Sequence, residues 1–258
     1  MPVKTERPRE TVASRVLSML GAFCAEHPHL SLTQLSRRSG LPMATTHRLA
    51  AELTAWGALE RDARGRYRIG LRLWEVGSLA PRGLGLREIA MPYLEDLYEA
   101  THENIQLAVL DGTEVVYLER IAGRASVNVF TRVAGRWPAH ATGVGLVLLA
   151  YSPAEAQEEY LAGPLARFTE KTITDPARLR RHLADVRRAG YAISDRQVTL
   201  DALSVAAPVH GSGDEVVAAL SIVVRAGTIA PTALAPAVRT AARGISRALK
   251  TFHSAEVS

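Results

Sequence analysis

The sequence predicts an α+β protein in two parts: a small basic head of helices with one hairpin, and a larger body with a mostly antiparallel sheet flanked by helices. Three observations predict it. The first 75 of 258 residues carry 12 Lys+Arg against 7 Asp+Glu, while the remainder balances at 19 of each, so the whole formal charge of +5 sits on the head. Hydrophobic residues change from helical spacing to strand-like alternation after residue 103. Between the two textures, residues 80–85 put one proline and two glycines where a helical pattern breaks. The expected division is a head at 11–75, a linker at 76–88 and a body at 89–254.

Residues 1–10 are expected to be disordered. Residues 11–26 read as a first helix with Val16, Leu17, Leu20 and Phe23 toward the core, and Cys24 packed in the same pattern. Ser31 and Gln34 form the signature of a capping box, Leu32 and Leu35 follow at helical spacing, and Gly40 supplies the residue tolerant of positive φ that ends a short helix. Pro42 suits the first turn of a second helix, 43–56, whose Leu49, Leu53 and Trp56 share one face. That arrangement leaves Met43, Thr45, Thr46, His47 and Arg48 near its exposed start. Residues 57–61 and 65–69 read as two strands around a tip carrying Arg61, Arg64 and Arg66. Two helices across a tight glycine turn, followed by a cationic hairpin, make a winged helix-turn-helix, a device for placing a helix in a major groove.

After the wing, a short helix is expected at 71–79, leading away from the head, and a longer one at 86–101, with Ile89, Leu94 and Leu97 as core candidates. Residues 104–110 and 114–121 are alternating runs around Asp111-Gly112, a hairpin signal. A third strand is expected at 126–133, helices at 143–150, 153–161 and 176–189, strands at 191–195, 203–209 and 216–224, and a last helix at 232–252. Hairpins in place of regular βαβ units argue for the antiparallel sheet.

Composition excludes several classes. No run of apolar residues approaches membrane-spanning length, and the polar N-terminus MPVKTERPRE lacks a signal-peptide core, so a cytoplasmic protein with no membrane partner is expected. One cysteine rules out an internal disulfide and any multi-cysteine metal site. No cofactor or metal is expected, since phosphate-binding and dinucleotide fingerprints are missing and His102-Glu103 is too sparse a donor set. His140, Ser204 and Asp195 supply triad residue types, but no nucleophile-elbow motif accompanies them, so no enzyme is expected.

The sequence resembles the IclR family of bacterial transcription regulators. The carriers are SRVLSMLGAF, LSLTQLSRRSGLPMATTHRL, GRYRIGLRLWEVG, LREIAMPYLEDL, RWPAHATGVGLVLLA, GYAISDRQVTLDALSVAAPV and VVAALSIV, in that order. The resemblance implies a DNA-binding head, a GAF-like C-terminal domain that binds a small organic or aromatic acid, and assembly as a homodimer or a dimer of dimers on a palindromic operator of double-stranded DNA. DNA contacts would come from Gln34, Met43, Thr45, Thr46, His47 and Arg48, with Arg61, Arg64 and Arg66 on the wing. Arg48 suits base reading and phosphate clamping alike, Thr45 and Thr46 also suit a helix start, and Gln34 also suits capping alone.

By the same resemblance, the backbone N–H groups of Gly143 and Val144 offer a carboxylate seat at a helix start. Ser194, Ser204 and Ser221 would add hydroxyls, each of which equally suits an ordinary strand position, and Val129, Trp137 and Ala202 would form an apolar wall. The chain departs from the family pattern at Ala141, Leu146, Gln197, Asp201 and Ser204. Those departures point away from short keto acids and toward a neutral or aromatic ligand, such as an aromatic acid or its amide or hydrazide; Asp201, if it points inward, would disfavour an anion. A repressor that has lost its ligand response is the alternative reading.

Overall fold

A computed structural model describes residues 11–80, 84–123, 126–127 and 131–256. The chain divides at Ala80 into two compact units.

In the first unit, α1 (Val12–Leu20) starts under Thr11, whose side chain accepts from the Ser14 N–H at 3.1 Å. It stops six residues before the expected end. Pro28 disfavours helical backbone at His27, and the chain instead makes a turn in which the His27 N–H donates to the Cys24 carbonyl at 2.9 Å. The Arg38 Nε takes over the Ala22 carbonyl at 2.7 Å, and Cys24 is left half-buried beside that guanidinium. Val16, Leu20 and Phe23 pack against the core as expected, joined by the buried Met19 and Ala22, whereas Leu17 is 66% exposed.

Helix α2 (Leu32–Ser39) carries both halves of its capping box and closes on Gly40 at φ 72°. Pro42 stands at the N-cap of α3 (Met43–Trp56), one residue ahead of the expected position. Strands β1 (Leu59–Arg61) and β2 (Tyr67–Ile69) pair antiparallel, and Tyr67 also exchanges two backbone bonds with Leu30. Gly70 follows where any Cβ would lie 2.1 Å from the Gly57 carbonyl oxygen, so the exit from the hairpin admits only glycine. Helix α4 (Leu71–Ser78) then leaves the hairpin, its first N–H donating to the Glu60 carboxylate at 3.1 Å. Met19, Leu30, Leu35, Leu49, Leu59 and Tyr67 form the core. Trp56 is not part of it; the ring is half-exposed beneath the Arg72 guanidinium, 4.4 Å from the ring centre.

The second unit starts with α5 (Leu84–Thr101), so helix occupies 84–88 as well as 76–78 within the stretch expected to be linker. Its core residues are Leu86, Ala90, Leu94 and Leu97, with Ile89 half-buried. Strands β3 (Asn104–Asp111) and β4 (Glu114–Ile121) form the expected hairpin, with Gly112 at φ 61°. Among the described residues, the third strand of this unit lies later in the chain than the one expected at 126–133. The described residues of 126–133 hold no strand, and β5 (Arg136–Pro138) pairs with β4 instead. The cause is a tight turn at Ala134, φ 60°, after which the chain first meets Tyr117 through backbone bonds from 134 and 135.

After β5 come α6 (Gly143–Ala150), α7 (Ala154–Ala162), α8 (Pro176–Ala189), β6 (Ala192–Asp195), β7 (Ala202–His210), β8 (Val216–Arg225) and α9 (Pro231–Glu256). The six strands run in the order β5-β4-β3-β8-β7-β6, all neighbours antiparallel. Alternation sorts their side chains. Ile105, Leu107, Val205, Leu220 and Ile222 join residues of α5 and α9 in one cluster. Ala108, Tyr117, Ala206 and Ala219 pack with α6 and α8 in another. Helix α6 is buried along its whole length, which explains why its sequence shows no polar face.

Candidate functional site

The exposed start of α3 is narrower than the sequence suggested. Met43, His47 and Arg48 are exposed and Thr45 is half-buried, but Thr46 is wholly buried, its hydroxyl donating to the Pro42 carbonyl at 3.1 Å. Thr46 therefore fixes the entry of the helix and has no surface to offer a partner. Arg48 pairs with Glu52 one turn on at 2.6 Å, with both side chains exposed. Gln34 is exposed, but its carboxamide oxygen is occupied by the Ser31 N–H at 2.8 Å.

The wing is organised by Asp62, a residue the sequence reading passed over. Its carboxylate accepts from the N–H groups of Arg64 and Arg66 and from the Arg66 Nε, each at 2.9 Å. These bonds hold the Asp62 carboxyl below the usual carboxylate range, the Arg66 N–H being the largest contributor. Arg66 is thereby committed to the turn. Arg61 is partly committed too, donating to the Gly65 carbonyl at 3.0 Å across the Tyr67 ring. Arg64 is exposed, and its side chain has no partner among the described residues. The spacing Asp-x-Arg-x-Arg at the tip was the available signal, because an aspartate two residues before a turn N–H is a turn-forming acceptor.

In the second unit, a cavity opens on the α6 side of the sheet, with about 500 Å³ of free space, part of it open solvent. Of the residues expected there, Trp137, Gly143, Val144, Ser194, Ala202 and Ser204 line it. Ser221 is not among the lining residues; it is fully buried on β8 opposite Gln106, and its hydroxyl has no partner among the described residues. Val129 lies outside the described residues. Asp201 is exposed and does not line the cavity, so it places no carboxylate against a ligand.

Thr142 caps α6, accepting from the Gly145 N–H at 3.1 Å and leaving the N–H groups of Gly143 and Val144 without an acceptor among the described residues. Gly143 lies so close to β7 that an added Cβ would sit 2.5 Å from the Ser204 Oγ. Two residues further, a Cβ on Gly145 would strike the Ala139 carbonyl oxygen at 2.2 Å, so both loop glycines are steric requirements. The Ser194 hydroxyl donates to the Ala141 carbonyl at 2.7 Å and so supports the loop from below.

Gln197, noted in the sequence only as a departure from the family pattern, also lines the wall, together with Gln106, Tyr117, Thr131, Thr142, Val198, Thr199 and Val223, which the sequence reading missed. A glutamine inside the apolar run Asn-Ile-Gln-Leu-Ala-Val was the signal for Gln106. Gln106 Nε2 donates to the Thr131 hydroxyl at 2.6 Å, and Arg120 donates to the Thr131 carbonyl at 2.9 Å. Burial drives the Tyr117 phenol far above its ordinary value despite a bond with Thr142, so it stays neutral against the cavity. The Thr199 hydroxyl is buried with no partner among the described residues.

Next to the loop, His140 is buried between the Tyr160 hydroxyl at 2.9 Å from Nδ1 and the Ala166 carbonyl at 2.9 Å from Nε2. Because the Tyr160 oxygen already accepts the His140 backbone N–H, its own proton points to Nδ1, and the neutral Nε2–H form fits. Burial lowers the His140 pKa accordingly. Asp195 faces Arg196 at 3.3 Å and is exposed, so no Ser-His-Asp arrangement forms. No group of three or more metal-ligating side chains occurs among the described residues, and no helix is long and apolar enough to cross a membrane.

Comparison with known proteins agrees with both halves. Residues 12–63 match the IclR helix-turn-helix domain, and residues 80–247 match the model for the bacterial transcriptional regulator IclR C-terminal region. The HTH-type transcriptional regulator KipR of Bacillus subtilis is 32% identical over 207 residues, covering 80% of this chain and 82% of that one. The Pca regulon regulatory protein of Pseudomonas putida is 29% identical over 221 residues, 85% and 76% of the two chains. A crystal structure of an IclR homolog from Microbacterium hydrocarbonoxydans, complexed with 4-hydroxybenzoate, superposes with a TM-score of 0.88 at 38% identity over 93% of this chain and all of that one. With a head that presents a helix start and a cationic wing, and a body that matches over nearly its full length, the chain belongs to the IclR family of bacterial transcriptional regulators.

Proposed function

We propose that this regulator binds a palindromic operator through α3 and the wing, and that an aromatic carboxylate in the C-terminal cavity controls that binding. One observation carries the ligand reading: the cavity joins unpaired N–H groups at a helix start to an aromatic and apolar wall. Such N–H groups and the helix dipole favour an anion, and Trp137, Ala202 and Val223 offer a flat apolar body room to pack. The relative that holds 4-hydroxybenzoate supports the same chemical class. The formed cavity also argues against a repressor that has lost its ligand response.

The ligand acts only if it binds the DNA-competent and DNA-incompetent arrangements with different affinity. We further propose a homodimer, and by family a dimer of dimers. Exposed apolar side chains on α1 (Val12, Leu17) and α4 (Leu71, Trp74, Val76) supply the surface in the head.

The test pairs thermal unfolding with operator retention, using 4-hydroxybenzoate against 4-hydroxybenzamide. The acid should raise the melting temperature and change operator affinity, and at about 100-fold over Kd it should add about 2.7 kcal/mol to stability. Stabilisation by aliphatic keto acids alone would overturn the aromatic assignment.

A further inference from the structure

A second concavity lies on the outside of the same unit, along α8, β6 and the segment 171–173. It encloses about 930 Å³ open to solvent, and its charged lining consists of Lys171, Arg178, Arg181, His182, Asp185 and Asp195. The two acids are already answered from outside the lining, Asp185 by Arg188 and Asp195 by Arg196 at 3.3 Å. Lys171, Arg178 and Arg181 have no carboxylate partner among the described residues, although α8 pairs another of its arginines, Arg180, with Glu158. Three cations thus remain unbalanced around one hollow.

His182 adds an independent sign. The other ring nitrogen is held by a hydrogen bond to the Ile193 backbone, yet Nε2 is buried with no partner among the described residues. Leaving such an atom unpaired costs free energy that a ligand atom would recover. Burial lowers the His182 pKa, with Asp185 opposing and Arg178 reinforcing the shift. The neutral ring therefore offers a lone pair, or a donor once a bound anion favours its protonation.

We propose that this concavity is a second ligand site, for a phosphoryl group on a small metabolite, with Arg178 and Arg181 as the principal donors, Lys171 as a point charge and His182 Nε2 as the fourth contact. Guanidinium forks match phosphoryl oxygens in pairs. A phosphoryl group also titrates near pH 6, so a residual P–OH can donate to a neutral imidazole or an imidazolium can donate to the dianion. Gln197 lines both this hollow and the aromatic-acid cavity, so the two sites share a wall.

The experiment uses the full chain at low ionic strength without DNA or aromatic acid, with pyrophosphate as the probe and succinate as the carboxylate control. Calorimetry should show saturable pyrophosphate binding, and the His182 ring resonances should move with it. The double variant R178Q/R181Q should lose roughly ten-fold or more in affinity, as expected for removing charge-assisted bonds. R180Q, on a residue already paired with Glu158, should bind as the parent does. Absence of saturable binding at millimolar pyrophosphate, equal binding of succinate, or unchanged affinity in R178Q/R181Q would overturn the proposal. None of these outcomes bears on operator binding or on the aromatic-acid cavity.

Discussion

The Gly143 backbone and the Ser204 hydroxyl are packed so closely that a single methyl group on the glycine would stand 2.5 Å from the oxygen. The start of α6 is thereby pressed against β7 at the place where its free N–H groups meet the cavity. Gly143→Ala should push the helix start away from its seat, cutting affinity for 4-hydroxybenzoate at least roughly ten-fold while operator binding by the ligand-free protein persists. Calorimetry beside an operator retention assay reads both.

Gly145 makes the contrasting case. A Cβ there meets backbone, the Ala139 carbonyl at 2.2 Å, which cannot rotate away as a serine hydroxyl can. Gly145→Ala should therefore destabilise the second unit by about 1–3 kcal/mol, the usual cost of overpacking. Chemical unfolding followed by circular dichroism measures it, and a loss no larger than that of Gly143→Ala would refute the distinction.

Arg48 and Arg64 should fail differently on DNA. Arg48 lies on the exposed start of α3, so Arg48→Ala should weaken cognate operator more than random duplex. Arg64 is the uncommitted cation of the wing tip; Arg64→Ala should weaken both duplexes alike and reduce the salt slope by about one. Equal losses for Arg48→Ala on the two duplexes would remove it from base reading.

Asp62 offers a test of sign. Simple charge counting says that removing an acid beside DNA should tighten binding. Because Asp62 instead holds the wing turn through Arg64 and Arg66, Asp62→Ala should weaken operator binding several-fold. Tighter binding would show that its charge outweighs its positioning.

His140 sets an acid limit on stability. Its folded pKa is lowered from 6.5 by burial, so below that value the unfolded chain binds the proton more readily than the folded one. Stability of the second unit should be full above about pH 6.5 and should fall as pH drops toward the folded value. His182, lowered for the same reason, adds in the same direction. His140→Gln should flatten the slope of melting temperature between about pH 5 and 6.5.

The proposed dimer of heads is open to the same kind of check. Trp74 on α4 is 62% exposed, and Trp74→Glu should lower operator affinity and shift sedimentation toward smaller species. Unchanged sedimentation and affinity would exclude that surface as an interface.

What the sequence determined by itself were the features written in neighbouring residues. The Ser31–Gln34 capping box, the Gly40 helix end and the Asp111-Gly112 hairpin each depend on a few consecutive side chains and backbone angles, and each is present in the structure. The charge asymmetry and the seven motifs were enough to place the family. Tertiary structure decided which side chains of a correctly read element meet solvent. Leu49 and Leu53 face the core as expected, but Thr46 is drawn in beside them at the helix entry and Trp56 is left out at its end, as Leu17 is on α1. It also decided the cavity wall, since Gln106, Tyr117, Thr142 and Thr199 lie far apart along the chain and share a surface only once the sheet order β4-β3-β8-β7 is set. Local pattern fixes backbone state, whereas burial and shared surfaces depend on contacts between residues distant in sequence, which no single window of the chain contains.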